Sequence, residues 1–111
     1  MDAIDTLQRA VKRIICEYAA LKPSYGTVDV ETILDDENGH YELLHIGWDQ
    51  WKRIHGCVIH IDVREDKIYI QHDGTEEGIA DELIALGIPK DAIVLAFKHP
   101  DIRELVSYTA A

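Results

Sequence analysis

Residues 41–73 read YELLHIGWDQWKRIHGCVIHIDVREDKIYIQHD, in which three β-rich runs are separated by two polar breaks. The runs are Tyr41–Trp48, Arg53–Val63 and Lys67–Asp73, and their short connections predict antiparallel neighbours. The middle run alternates with a period of two, which is typical of a strand with one buried face. Its predicted core face consists of Cys57, Ile59, Ile61 and Val63.

The last two runs predict a hairpin that turns at Glu65 and Asp66. Its apolar face carries the opposite pairs Val63–Ile68 and Ile61–Ile70. Its polar face carries the opposite pairs His60–Gln71 and Asp62–Tyr69. We therefore expect other elements to cover one face, while the other stays in water.

Amphipathic helices are predicted on both sides of these runs. Residues 2–21 show apolar positions at helical spacing, and the pattern recurs after Gly74. Asp73 or Thr75 is the expected N-cap of the second helix, and Glu76 and Glu77 are expected in its first turn.

The remaining elements complete the predicted fold. Residues 28–34 alternate as a first strand and turn back through Asn38-Gly39. The apolar run Ile93–Phe97 predicts a short strand, and Pro100 opens a helical turn that runs to Tyr108. The fold class is α+β: an N-terminal helix, a four-stranded antiparallel β-meander, a second helix, a short apolar strand and a C-terminal helical turn. Both helices are expected to pack on one sheet face.

Length and composition predict a single domain over residues 1–111, with a core that needs no metal or disulfide. No apolar run approaches the roughly 20 residues that cross a bilayer, and the N-terminus lacks the pattern of a secretory signal. We therefore expect a cytoplasmic protein without a membrane partner. Cys16 and Cys57 are predicted to be buried and unpaired.

Charge is the most informative global property. The chain has 21 acidic and 11 basic side chains and a formal net charge of −10. Such a surface repels phosphate backbones, so direct nucleic-acid binding is disfavoured and a basic protein partner is favoured.

Motifs for catalysis or metal binding are sparse. His60 and Asp62 share a sheet face about 7 Å apart along the strand, so a metal site would need ligands from neighbouring strands. We predict no metal, no cofactor and no catalytic residue. A small enzyme that uses His60, Asp62 and Tyr69 in a pocket is the alternative.

One group of side chains predicts a protein-binding surface, because Trp, Tyr and Arg are frequent interface anchors. Its members are Tyr25, Trp48, Asp49, Trp51 and Arg53. The tryptophans could instead cover the end of the core, and Trp48 is the more core-like because it continues a strand. Three further candidate contacts are His60 and Asp62 on the polar sheet face and Arg103 in the tail. Arg103 could also bind a carboxylate and tether the tail.

The chain as a whole resembles the XisI-like family, named for an fdxN element excision controlling factor. The residues that carry this resemblance include Lys22-Pro23-Ser24-Tyr25-Gly26, His40-Tyr41, Gly47-Trp48-Asp49, Gly56-Cys57-Val58-Ile59-His60, Thr75-Glu76 and Gly87-Ile88-Pro89-Lys90. Glu65-Asp66 departs from the Asp-Gly pair that is typical of the family's third turn.

The resemblance implies a role in programmed excision of a DNA element, beside a recombinase and a nuclease-like companion protein, XisH. It implies no catalytic residues. Our leading hypothesis is a non-enzymatic control factor that binds an XisH-type partner and forms a homodimer. Direct DNA binding is the alternative, and it would need a basic patch formed by Arg9, Lys12, Arg13, Lys52 and Arg53.

Overall fold

The computed structural model describes residues 3–103, and the side chains within residues 4–102. Its elements are helix α1 (Ala3–Ala19), strands β1 (Thr27–Asp35), β2 (His40–Asp49), β3 (Lys52–Arg64) and β4 (Lys67–Asp73), helix α2 (Ile79–Ala85), strand β5 (Ile93–Leu95) and helix α3 (Pro100–Arg103). The predicted order of elements is confirmed. The Arg103 side chain and the predicted continuation of α3 to Tyr108 lie outside the described residues.

The strands form one sheet in the order β1-β2-β3-β4-β5. The first four are antiparallel, as predicted. Strand β5 lies parallel to β4, with Ile93 opposite Ile68. Parallel neighbours need a crossover connection, and the segment that contains α2 provides it between β4 and β5. The short apolar strand thus makes the meander a five-stranded mixed sheet.

Helices α1 and α2 pack on one side of the sheet, which we call the helix face. Burial of each large aliphatic side chain in such a core stabilises the fold by about 1.5–3 kcal/mol. The core includes Leu7, Val11, Ile14, Ile15, Tyr41, Leu43, Ile59, Ile61, Ile68, Ile70, Ile79 and Leu83. The opposite side, the open face, carries polar residues such as His60 and Asp62 and also the apolar residues Leu44 and Ile46. No helix in residues 3–103 is long and apolar enough to cross a bilayer.

A β-bulge interrupts the ladder between β2 and β3. Leu43 lies opposite Ile59, but Leu44 lies opposite Cys57, so Val58 is an extra residue. Val58 packs against the core, and Cys57 turns to the open face, because a bulge reverses the alternation beyond it. The prediction that Cys57 belongs to the core face is therefore wrong. The predicted burial of Cys16 is also wrong, since this free thiol is exposed on α1.

A second bulge lies between β3 and β4. Asp62 lies opposite Tyr69, as predicted, but His60 lies opposite His72. The predicted pair of His60 with Gln71 is therefore wrong, because Gln71 is the extra residue of this bulge.

The turn between β3 and β4 is the predicted two-residue turn at Glu65 and Asp66, with Arg64 opposite Lys67. Glu65 has a φ of 58°. This left-handed conformation costs a residue other than glycine about 1–2 kcal/mol. The turn is therefore tight although it contains no glycine, and its left-handed residue is Glu65 and not Asp66.

Helix α2 begins later than its sequence pattern predicts. The prediction that Asp73 or Thr75 is the N-cap is wrong, because Gly78 occupies that position. The Asp73 carboxylate still accepts hydrogen bonds from the backbone N–H groups of Thr75 (2.9 Å) and Ile79 (2.8 Å), so it satisfies one N–H group of the first helical turn. The prediction that Glu76 and Glu77 occupy the first helical turn is wrong. The helix begins at Ile79, so both residues lie in the loop that precedes it.

Candidate functional site

The hairpin of β2 and β3 ends in an exposed aromatic group, which we call the arm tip (Tyr25, Trp48, Asp49, Trp51 and Arg53). Trp51 is 96% exposed in the turn, and Trp48 is 50% exposed. The alternative in which Trp48 covers the end of the core is wrong, because Trp48 is half exposed and pairs with the exposed Arg53 on the open face. The structure therefore presents both tryptophans to solvent.

Two local interactions order the arm tip. The Arg53 guanidinium lies 5.1 Å from the centre of the Trp48 ring and donates to the Gly47 carbonyl at 3.3 Å. The loop that carries Tyr25 is held against the end of β2, since a Cβ atom at Gly26 would lie 2.3 Å from the Trp48 carbonyl oxygen. All five predicted arm-tip residues are thus brought to one end of the sheet.

A groove of about 320 Å³ adjoins the arm tip on the helix face. It lies between the end of α1 and the strands, and its lining includes Leu21, Pro23, Tyr25, His45 and Val58. Aromatic and apolar side chains that border a groove are typical of interface cores. The arm tip and this groove together form a candidate surface for a protein partner.

His60 and Asp62 lie far from the arm tip, at the opposite end of β3, and the structure adds His40 to them. His40 is opposite Asp62 across the ladder. Asp62 Oδ1 accepts hydrogen bonds from His40 Nδ1 at 2.7 Å and His60 Nε2 at 3.0 Å, and Asp62 Oδ2 accepts one from Gln71 Nε2 at 3.2 Å. We call these four residues the open-face cluster.

The electrostatics of the open-face cluster favour an ionised carboxylate. Asp62 is only 7% exposed. Burial by itself raises the pKa of Asp62, but the hydrogen bonds from His40 and His60 outweigh burial and hold that pKa below its usual value. The hydrogen bond to Asp62 raises the pKa of His40. Because an ionised carboxylate only accepts, both histidine nitrogens that face it act as donors.

The neighbours of this cluster are not arranged as a nucleophile and base. Burial raises the pKa of the Cys57 thiol, and the nearby Glu42 carboxylate raises it further. The Cys57 thiol donates to the Ile59 carbonyl at 3.1 Å. Tyr69 is adjacent in the ladder, with the Arg64 guanidinium 4.6 Å from its ring centre. Of the predicted acid–base group, only His60 and Asp62 are joined by a described hydrogen bond.

Sequence reasoning missed His40 as a site residue. An unbroken ladder from the turn at Gln50 would pair His40 with Ile61, and paired residues share a face. Only the bulge at Val58 shifts this register by one residue and places His40 opposite Asp62. The sequence did contain an indication of the bulge, because the unbroken register pairs the polar His40 with the core residue Ile61 on one face.

Comparisons with known proteins agree with this fold. The family model described as XisI protein matches residues 1–110. The crystal structure of a XisI-like protein from Anabaena variabilis is 36% identical, with 97% of this chain and 99% of that chain covered and a TM-score of 0.91.

A second crystal structure, of the fdxN element excision controlling factor XisI from Anabaena variabilis, is 32% identical. The match covers 99% of this chain and 100% of that chain, with a TM-score of 0.86. No curated protein matches the chain. Sequence and fold agree over nearly the whole length, and the chain therefore belongs to the XisI family.

Proposed function

We propose that this protein is a non-enzymatic control factor of programmed DNA-element excision that acts by binding a nuclease-like partner of the XisH type. The observation that carries this proposal is the arm tip, where Trp48 and Trp51 are exposed at the end of a hairpin. Burying such side chains in a partner's pocket is a frequent source of binding energy. A relative with 32% identity is described as an excision controlling factor, which supplies the biological context.

Charge supports a protein partner. The net charge of −10 favours rapid association with a basic surface and opposes approach to DNA. A protein that controls events on DNA while it repels DNA can do so by binding another protein.

Co-purification with the XisH-type protein from the same genome tests the proposal. We expect a complex at micromolar concentrations, and Trp51→Ala should weaken it at least tenfold, because a central aromatic anchor contributes about 2 kcal/mol or more. Phe97→Ala is the matched control, since Phe97 is also an exposed aromatic residue, at 48%, but lies beyond β5. Absence of a complex at micromolar concentrations would rule out this partner.

Direct DNA binding is the alternative that the same purified protein can test. It would require the basic residues of α1 and the arm tip to act together. Lys12 is paired with Asp36 at 2.8 Å and Arg13 with Glu17 at 3.0 Å, so two of these cations already have carboxylate partners. A steep salt dependence of duplex binding would favour this alternative over the partner model.

A further inference from the structure

The open-face cluster brings together three side chains of the types that bind transition metals. His40 comes from the start of β2, whereas His60 and Asp62 come from the end of β3. The His40 and His60 nitrogens and one Asp62 oxygen all lie within 4.8 Å of one another. We propose that His40, His60 and Asp62 form a binding site for one divalent transition-metal ion, with Zn²⁺ as the best chemical match.

The distances are close to those that a metal site needs. In a tetrahedral Zn²⁺ site, bonds of about 2.1 Å place the ligand atoms roughly 3.4 Å apart. The distances to Asp62 Oδ1 are 2.7 Å for His40 Nδ1 and 3.0 Å for His60 Nε2. The third distance, between the His40 and His60 nitrogens, lies within 4.8 Å, so the two partly exposed rings must rotate toward each other to place all three ligand atoms around one ion.

The carboxylate is already positioned for this role. Asp62 is buried, and Gln71 donates to Asp62 Oδ2, the oxygen that the histidines do not contact. Such a second hydrogen bond fixes the direction in which a carboxylate ligand points. The β2–β3 ladder fixes His40 directly opposite Asp62. The site is thus built from two adjacent strands and not from a loop.

The donor set selects the kind of ion. Two imidazole nitrogens and one carboxylate oxygen suit Zn²⁺ and its first-row neighbours, whereas Mg²⁺ and Ca²⁺ prefer oxygen ligands. Each neutral ring must then carry its proton on the nitrogen that faces away from the ion. The His40 side chain is 51% exposed, so solvent can reach a fourth coordination position. Three protein ligands and one water form an open site of the kind that exchanges ligands.

Titration of untagged, chelator-treated protein with ZnCl₂ tests the site. We expect calorimetry to give one ion per chain, and Co²⁺ to produce the visible absorption of a low-symmetry site with nitrogen and oxygen ligands. His40→Gln and His60→Gln should each abolish saturable binding. Gln71→Met should weaken it about 10–100-fold, because Gln71 only positions Asp62.

The matched control is His55→Gln, because His55 is an exposed histidine on the open face of β3, opposite Ile46. This variant should bind one ion with unchanged affinity. The proposal is overturned if wild-type protein shows no saturable binding. It is also overturned if the His40→Gln variant and the His60→Gln variant each still bind Zn²⁺ like the wild type. The same holds if His55→Gln lowers the affinity as much as these two substitutions do.

Discussion

Asp62 is the buried carboxylate at the centre of the open-face cluster. A buried carboxylate is costly unless donors satisfy it, and His40, His60 and Gln71 supply three hydrogen bonds. These donors come from three different strands. The residue therefore links β2, β3 and β4 on the face that the helices leave to polar side chains.

Tyr18 plays a comparable part between the helices. Its hydroxyl donates to Glu82 Oε2 at 2.7 Å and so joins α1 to α2. Burial and the Glu82 carboxylate raise the pKa of Tyr18 from 10.0 to about 12. The hydroxyl thus keeps its proton in the folded state at pH values where an exposed tyrosine loses it.

The raised pKa of Tyr18 predicts a loss of stability in alkali. Because the folded-state pKa exceeds the unfolded value, the stabilisation is complete below about pH 10 and is lost as the pH rises toward about 12. We expect the free energy of unfolding to fall more steeply with pH in the wild type than in Tyr18→Phe. Urea denaturation across this range measures both slopes. Tyr25→Phe, which changes an exposed tyrosine, should keep the wild-type slope, and equal slopes in all three proteins would contradict the assignment.

At the scale of elements, period-two alternation predicted the strands well and the ladders less well. The runs from Tyr41 to Asp73 became β2, β3 and β4 nearly within their predicted bounds. A strict period-two pattern assumes that no strand has an extra residue. The bulges at Val58 and Gln71 therefore shifted the cross-strand pairs that this pattern predicts. The open-face cluster depends on the first of these shifts and was therefore only half predicted.

The arm tip was predicted from residue types, but the exposure of Trp48 was not. The sequence pattern shows that Trp48 continues a strand, whereas its exposure depends on which face of the sheet the helices cover. Helix α1 ends at Ala19 and packs on the other face. Burial at a strand end is thus a tertiary property, which local periodicity does not encode.

The turn between β1 and β2 requires a glycine at position 39. Gly39 has a φ of 72°, and a Cβ atom there would lie 2.1 Å from the Val63 carbonyl oxygen. Val63 N–H also donates to the Gly39 carbonyl at 2.8 Å, so the backbone cannot move away without losing this bond. We expect Gly39→Ala to lower the free energy of unfolding by at least about 2 kcal/mol.

Gly56→Ala is the matched control for this prediction. Gly56 lies in β3, and a Cβ atom there meets no other atom within 4 Å. Replacing glycine in a strand reduces the freedom of the unfolded chain, so this variant should be neutral or stabilised by up to about 1 kcal/mol. Chemical denaturation of both variants gives the comparison, and an equal loss of stability at the two positions would refute the steric argument.

At the scale of the whole molecule, charge restricts how copies of the chain can meet. Strand β1 is an edge of the sheet, and Asp29, Glu31 and Asp35 alternate along its open-face side. Two such edges paired together would place like charges side by side, which opposes strand addition. An association of two copies is therefore expected to use a face and not this edge.

The interface of the homodimer predicted from the sequence can therefore be assigned to one surface and tested. The residues Leu44 and Ile46 form a short apolar row along β2 on the open face, separate from the tryptophans of the arm tip, and like patches can meet across a two-fold axis. We expect light scattering at high concentration to give twice the chain mass of 12.6 kDa. Ile46→Glu, in this row, should shift the protein to monomer, whereas Leu86→Glu, at an exposed position at the end of α2 on the helix side of the sheet, should leave the dimer intact. A mass of one chain for the wild type at every concentration would contradict the prediction, and it would leave the apolar row available to a different protein.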